Sequence, residues 1–273
     1  MHAASREALT ALRERLEAVT GRFSTSDGLS GLSQELYAVA EVLNGQPRLR
    51  RALADPSTSA TGRADLAGRL LEGKVGASAL QIVREAVSLR WSASWDLVDS
   101  LELIADEALF SAAEQDGIAD RIEDELFRFE RILDAQSELT VLLDEASATA
   151  DRRVALLDSV LGDKVHPITR QLLSHAVSSR RKHTVSFAID ELLEAASRRR
   201  NRSVARVVSA VELTTEQQSR LTAALTELYH RPISVRIALD PMVRGGLVVH
   251  IGDEVIDGSV AARLTQARSA LAG

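Results

Sequence analysis

The sequence contains no cysteine, which excludes disulfide frameworks, thiolate nucleophiles and cysteine-ligated metals and fits a reducing compartment. It has no long hydrophobic run either. Charge interrupts the apolar stretches every few residues, and none approaches the roughly 20 residues of a spanning helix, so no direct membrane insertion is expected. The opening residues, Met1 to Ala11, carry Arg6 and Glu7 where a signal peptide has an apolar block, which argues against export. A basic excess is missing as well. Residues 1–105 hold 12 basic and 13 acidic side chains, residues 106–200 hold 13 and 19, and residues 201–273 hold 8 and 7. No third of the chain neutralises phosphates in bulk, so nucleic acid is disfavoured as a partner. What is present is a globular composition, 45% apolar and 26% charged over 273 residues, with length for one or two domains and a real core.

Residues 1 to about 200 read as helix, with apolar residues recurring at intervals of three and four. Leu9, Leu12, Leu16 and Val19 form one stripe, Leu29, Leu32, Leu36, Val39, Val42 and Leu43 a second, and Ile118, Ile122, Leu126, Phe129 and Leu133 a third. Setting residue i against i+90 over Gln46–Arg90 gives 15 identities in 45 positions without a gap, among them Leu49/Leu139, Leu53/Leu143, Arg63/Arg153, Leu71/Leu161, Lys74/Lys164, Gln81/Gln171 and Val87/Val177. Register held through successive helices and their loops reads as a tandem duplication of one helical unit. The expected domains are a first helical bundle over 1–110, a second over 111–202 with helix 94–112 shared between them, and a small module over 203–273.

Near residue 203 the pattern changes. Val204, Ala205, Val207, Val208 and Val211 favour strand. Thr214 and Gln217 offer a capping box for a helix carrying Leu221, Ala224, Leu225 and Leu228. Ile233, Val235, Ile237 and Leu239 alternate with polar or small residues, and Leu247, Val249 and Ile251 repeat that period. Gly252-Asp253 is a tight-turn candidate before a short strand at Val255 and Ile256, and Val260, Leu264, Ala267 and Leu271 mark a closing helix. The fold class is therefore mainly α, two tandem related helical bundles followed by a small α/β (β-α-β-β-α) C-terminal module.

Chemistry-bearing motifs are scarce. The six histidines, at 2, 166, 175, 183, 230 and 250, show no metal-ligand spacing, so no metal site is expected. There is no Gly-x-Ser-x-Gly elbow and no phosphate-binding loop, and Gly245-Gly246 precedes a strand, where glycines serve a sharp turn or close backbone approach. Neither a catalytic residue nor a cofactor site is expected. Glu123-Asp124-Glu125 reads as a solvated helix face, and the basic runs Arg180-Arg181-Lys182 and Arg198-Arg199-Arg200 as cations complementing helix C-termini. Trp91 and Trp95, four residues apart, read as one helix face, in the core or against a protein partner.

At the C-terminal end the residues become specific. Asp240-Pro241, the run from Gly245-Gly246-Leu247-Val248-Val249-His250-Ile251 through Gly252-Asp253-Glu254-Val255-Ile256 to Asp257-Gly258-Ser259-Val260, and Arg263-Leu264 strongly resemble the closing signature of the F-type ATP synthase delta subunit. That family is the bacterial counterpart of the mitochondrial oligomycin-sensitivity-conferring protein, and Ser5-Arg6-Glu7-Ala8-Leu9 resembles its opening helix. The resemblance implies a non-catalytic peripheral-stalk subunit, needing no cofactor, on the cytoplasmic face of the plasma membrane. Its helical bundle would grip the N-terminal helices of the alpha subunits, with Leu9, Leu12, Leu16, Leu126, Phe129 and Leu133 as candidate binding faces. Its C-terminal module would meet the C-terminal region of the b subunit. Gly245, Gly246, Gly252, Asp253, Asp257, Gly258, Ser259 and Arg263 would keep the fold of that module or touch b. One departure stands out: the family has a single helical domain before the C-terminal module, whereas this chain reads as having two. A helical RNA-binding or regulatory adaptor using the Arg180 and Arg198 runs is the alternative.

Overall fold

The computed structural model describes residues 2–145, 147–179, 184–202, 204–229, 233–240, 245–251 and 254–258. The chain forms two compact units, Met1–Leu192 and Leu193–Gly273. The first is all helix: α1 (Ala3–Thr20), α2 (Ser26–Gly45), α3 (Pro47–Ala54), α4 (Ala60–Leu71), α5 (Ala77–Ser88), α6 (Ser94–Gln115), α7 (Ala119–Ala135), α8 (Ser137–Leu143), α9 (Ala150–Leu161), α10 (Pro167–Ser178) and the start of α11 (Val185–Arg202).

The 90-residue period of the sequence is also the period of the helices. Helices α3, α4 and α5 begin at 47, 60 and 77, and α8, α9 and α10 begin at 137, 150 and 167. Their starts are built alike. Ser59 Oγ accepts the Gly62 amide at 3.1 Å, and Thr149 Oγ1, 90 residues on, accepts the Arg152 amide at 3.3 Å. Each hydroxyl satisfies one of the orphan N–H groups of a helix N-terminus. Replacing Ser59 or Thr149 by alanine is expected to cost about 1 kcal/mol in urea-unfolding measurements, the usual worth of such a cap.

Helix α6 belongs to both periods. It begins 91 residues after α1 and 91 before α11, and it packs against α1, α2, α3 and α5 as well as against α7 and α10. Its sequence explains this double role. Leu97, Leu101, Ile104, Ala105, Ala108, Leu109 and Ala112 are all fully buried, and an apolar arc this broad is stable only when several neighbouring helices cover it. Leu12, Leu16, Leu36, Leu43 and Ile82 share a core with the N-terminal part of α6, while Ile122, Leu126, Phe129, Leu143, Leu157 and Leu172 are buried farther along the chain.

Trp91 departs from the sequence expectation. Helix α5 stops at Ser88 and α6 starts at Ser94, so Trp91 lies between helices and shares no helix face with Trp95. Period-based reading missed this break because its cause is distant in sequence: carbonyls at the end of α5 bond the Arg63 side chain, and the Ser92 amide bonds Ser5 Oγ at 2.9 Å. Trp91 is buried and donates its indole N–H to the Ala86 carbonyl. Trp95 is half-buried under the Arg50 guanidinium, 3.3 Å from the ring centroid, a cation–π contact.

The second unit carries β1 (Val204–Ser209), α12 (Thr215–Tyr229), β2 (Ser234–Leu239), β3 (Leu247–Ile251) and β4 (Glu254–Asp257) in a four-stranded sheet of order β2-β1-β3-β4. Strands β1 and β2 pair in parallel, as the intervening α12 crossover allows, and β3 pairs antiparallel to both β1 and β4. The Thr214–Gln217 capping box forms reciprocally, at 2.9 and 3.2 Å. Ala205, Val207, Leu225, Ile233, Val249 and Ile251 make the core. The closing helix expected over Val260–Leu271 lies outside the described residues. The chain is thus mainly α with a small α/β module, as its sequence suggests.

Candidate functional site

Two buried arginines, Arg63 and Arg153, hold equivalent joints in the repeat. Arg63 begins the second turn of α4, and its Nε donates to the Val87 carbonyl at 2.6 Å and its Nη2 to Ser88 and Leu89 at 3.0 and 3.2 Å. Its Nη1 donates to the carbonyls of Asp55, at 2.9 Å, and Thr58. Arg153 repeats the pattern on α9, with Nε to Val177 at 2.8 Å, Nη2 to Ser178 at 3.1 Å and Nη1 to Ala148 at 2.5 Å. A guanidinium suits this place because its planar fork reaches several carbonyls at once, and its charge faces the negative end of a helix.

A second pair of joints uses carboxylates. Glu35 of α2 accepts the Gly76 amide at 2.9 Å, and Glu125 of α7 accepts the His166 amide at 2.8 Å, each tying a long helix to the start of the helix two elements beyond the next. Glu125 also accepts from Thr169 at 2.6 Å and from Arg121 at 2.8 Å. Burial pushes its carboxyl up, but the bonds from Thr169, the His166 amide and Arg121 outweigh that and hold it below the ordinary glutamate value. Glu125 is therefore a correction to the solvated-face reading of 123–125. Only Asp124 and Glu123 of that triplet keep substantial exposure.

Helices α2, α6 and α10 meet at a polar junction. The Tyr37 ring of α2 stacks on His175 of α10 at 3.8 Å between centroids and 21° between planes. The Tyr37 hydroxyl donates to Asp106 of α6. Ser179, just past α10, donates to Glu102 of α6 at 3.1 Å, and His175 Nε2 lies 4.0 Å from the same carboxylate. Burial, more than the neighbouring charges of Glu102, Glu107 and Glu191, pushes Asp106 well above the ordinary aspartate value, with the Tyr37 bond opposing. Burial also raises the Tyr37 phenol, helped by the Asp106 charge. Arg13 of α1 pairs with Glu107 at 2.7 Å.

The candidate binding-face residues Leu9, Leu12, Leu16, Leu126, Phe129 and Leu133 are all buried. They build the interior of the helical unit. In the signature, Gly245 and Gly246 adopt φ of 71° and 81°, backbone that a side chain would strain. The Gly258 amide donates to the Leu247 carbonyl at 2.9 Å, and a Cβ at Gly258 would stand 3.1 Å from that oxygen. Asp257 is exposed at the end of β4, opposite Val248. Gly252, Asp253, Ser259 and Arg263 lie outside the described residues, as do Arg180, Arg181 and Lys182. Of the other basic run, Arg198 pairs with Glu194 at 2.8 Å and Arg199 is buried in the last turns of α11. Among the described residues no group of His, Asp and Glu could hold a metal ion, and no helix is long and apolar enough to cross a membrane.

Sequence reading missed Tyr37, Asp106 and His175, whose contact spans three helices and leaves no mark in local spacing. The arginine joints left a mark, the identity of Arg63 and Arg153, without revealing that those side chains turn inward.

The order of parts defines a mainly helical chain that closes on a small mixed-sheet module. Residues 106–271 match the ATP synthase delta (OSCP) subunit family. The chain is 44% identical over 273 residues to the ATP synthase subunit delta of Streptomyces griseus subsp. griseus, covering all of both chains. It is 44% identical over 272 residues to that of Streptomyces coelicolor, covering 100% of this chain and 98% of the relative. An ATP synthase subunit b-delta of Mycobacterium sp. (strain KMS) is 41% identical over 271 residues, covering 99% of this chain and 61% of that longer one. The chain belongs to the ATP synthase delta (OSCP) subunit family. The family match starts inside α6, so α1–α5 precede it, yet the full-length Streptomyces relatives span them as well.

Proposed function

We propose that this chain is a peripheral-stalk (stator) subunit of a proton-translocating F-type ATP synthase, a non-catalytic link that joins the alpha subunits of the catalytic head to the b subunit and resists rotor torque at the cytoplasmic face of the membrane. The observation that carries this reading is full-length similarity to ATP synthase delta subunits. The b-delta relative supports contact with b, since there a chain of this kind is named together with b. In this reading the chain has three parts, two bundles over 1–110 and 111–202 that share α6 and a C-terminal module over 203–273. The helical part grips the N-terminal helices of alpha. The module with Gly245, Gly246, Asp257, Gly258 and its neighbours Gly252, Asp253, Ser259 and Arg263 meets the C-terminal region of b.

Holding against torque requires slow dissociation, and nanomolar affinity corresponds to about -12 kcal/mol. Exposed ion pairs contribute about 0–1 kcal/mol each and weaken with salt, so apolar helix docking supplies most of the grip. The test is depletion and re-addition. Membranes stripped of this subunit should lose proton-driven ATP synthesis while the detached head still hydrolyses ATP, and the purified full chain should restore coupling at about one chain per complex. Undiminished coupling in stripped membranes, or restored coupling without the chain, overturns the reading.

A further inference from the structure

Besides sharing α6, the two helical copies touch directly through Tyr37 and His175, and the residues of that contact are peculiar to the joint. The Tyr37 ring of α2 stacks on the His175 imidazole of α10, and its hydroxyl donates to Asp106 of α6. None of the three is kept at the corresponding places within the repeat. Ninety residues after Tyr37 stands Phe127, and ninety before His175 stands Glu85, which pairs with Arg15 of α1 inside the first copy at 3.0 Å. On the 91-residue offset of α6 to α11, Asp106 corresponds to Ser197. Phenylalanine has no hydroxyl to donate, so the bond from Tyr37 to Asp106 has no equivalent at Phe127 and Ser197. The trio belongs to the place where copy meets copy.

Its surroundings make closure depend on a proton. Asp106 faces Tyr37 from α2, Glu102 and Glu107 on α6 itself and Glu191 from α11, while Arg13 of α1 pairs with Glu107. His175 faces Tyr37 and the Glu102 carboxylate, 4.0 Å from its Nε2. Burial disfavours the ionised form of Asp106 more strongly than the single bond from Tyr37 favours it. An ionised Asp106 therefore requires further donors, which water entering along the seam of α2 and α10 supplies. Gln171 Oε1, one turn before His175 on α10, is buried without a hydrogen-bond partner, and entering water would satisfy it as well. We propose that Tyr37, Asp106 and His175 form a proton-operated clasp between the two helical copies, closed while Asp106 is protonated and opened, with Tyr37 leaving His175 and water entering between α2 and α10, once Asp106 ionises. Opening leaves the apolar cores in place, since these are built from other residues. The stiffness of the helical unit thus follows the pH around it. The clasp is a property of the chain itself and stands whether or not the stator reading holds.

The chain has no cysteine, so two introduced ones carry the only spin labels. Glu41, exposed on α2 one turn after Tyr37, and Ala155, exposed on α9 beside α10, are the positions. The distance between labels in the full-length E41C/A155C chain is measured by pulsed dipolar spectroscopy from pH 5 to pH 9, with helix content followed by circular dichroism. One distance is expected at pH 5, and a second, longer one should grow in and become the major component by pH 9 while the helix content holds. D106N should show the short distance throughout. H175F keeps an aromatic face for Tyr37 and takes up no proton, so the longer distance should still appear. An unchanged distance across the range, opening that survives in D106N, opening that vanishes in H175F, or a longer distance that comes only with loss of helix overturns the proposal.

Discussion

Replacing Arg63 by alanine is expected to destabilise the helical unit by about 3 kcal/mol or more, an effect in the range of a lost buried network. Five carbonyl groups bond this guanidinium, from Asp55, Thr58, Val87, Ser88 and Leu89. The side chain is buried, so water cannot fully replace it. Hydrogen bonds to a charged group are each worth about 1.5–3 kcal/mol, and stranded acceptors add a desolvation cost. The five do not add, because they share one side chain and one charge. Arg63→Lys should recover little, since an ammonium lacks the planar fork that reaches α5 and the α3–α4 turn together. Arg153→Ala should behave similarly, since Arg153 bonds the Val177, Ala148 and Ser178 carbonyls in the same way. Urea unfolding followed by circular dichroism measures both. A loss below about 1 kcal/mol for Arg63→Ala would show that the carbonyls find other partners.

The second large effect is one of pH. Asp106 is buried and holds its proton more tightly in the folded chain than in the unfolded one. Above an unfolded value of about 3.9, the folded state therefore carries the extra proton, and stability falls as pH rises through the window up to the raised folded value. A single group with this behaviour contributes a slope of up to about 1.4 kcal/mol per pH unit. Asp106→Asn keeps an acceptor for the Tyr37 hydroxyl and abolishes the titration, so its stability should lack that decline. Glu125 works in the opposite direction. Its lowered carboxyl contributes stability that is present above the unfolded glutamate value of about 4.3 and is lost as pH falls through its folded value. Unfolding free energies measured across pH 3–9 for the wild type and Asp106→Asn separate the two limbs. A wild-type decline that survives in the variant assigns it to another group.

These two sites mark what the sequence discloses and what it conceals. The repeat was legible because helix starts, caps and core leucines recur at a fixed offset, and each is a local requirement written in residue type. The strands were legible for the same reason: Val249 and Ile251 enter the core and alternate with Val248 and His250, which do not. Trp91 and Glu125 were misread because their surroundings come from elsewhere. A carboxylate on a charged-looking helix becomes interior only when the amide of His166 and the hydroxyl of Thr169 close over it. The junction at Tyr37 and His175 was invisible for a further reason. The two copies share the positions but not the residues, so comparing the chain with itself shows Tyr37 against Phe127 and leaves the contact with α10 unmarked.

The position of α6 also decides what truncation would do to the chain. Leu97, Val98, Leu101, Ile104, Ala105 and Ala108 lie in a core built with α1, α2 and α5. Excising the first five helices would leave that flank bare to water in a chain otherwise complete, with a loss of about 25 cal/mol for each Å² of apolar surface uncovered and an adhesive stripe inviting aggregation. Removing α1–α5 would therefore cost solubility as well as stability in what remains of the helical unit.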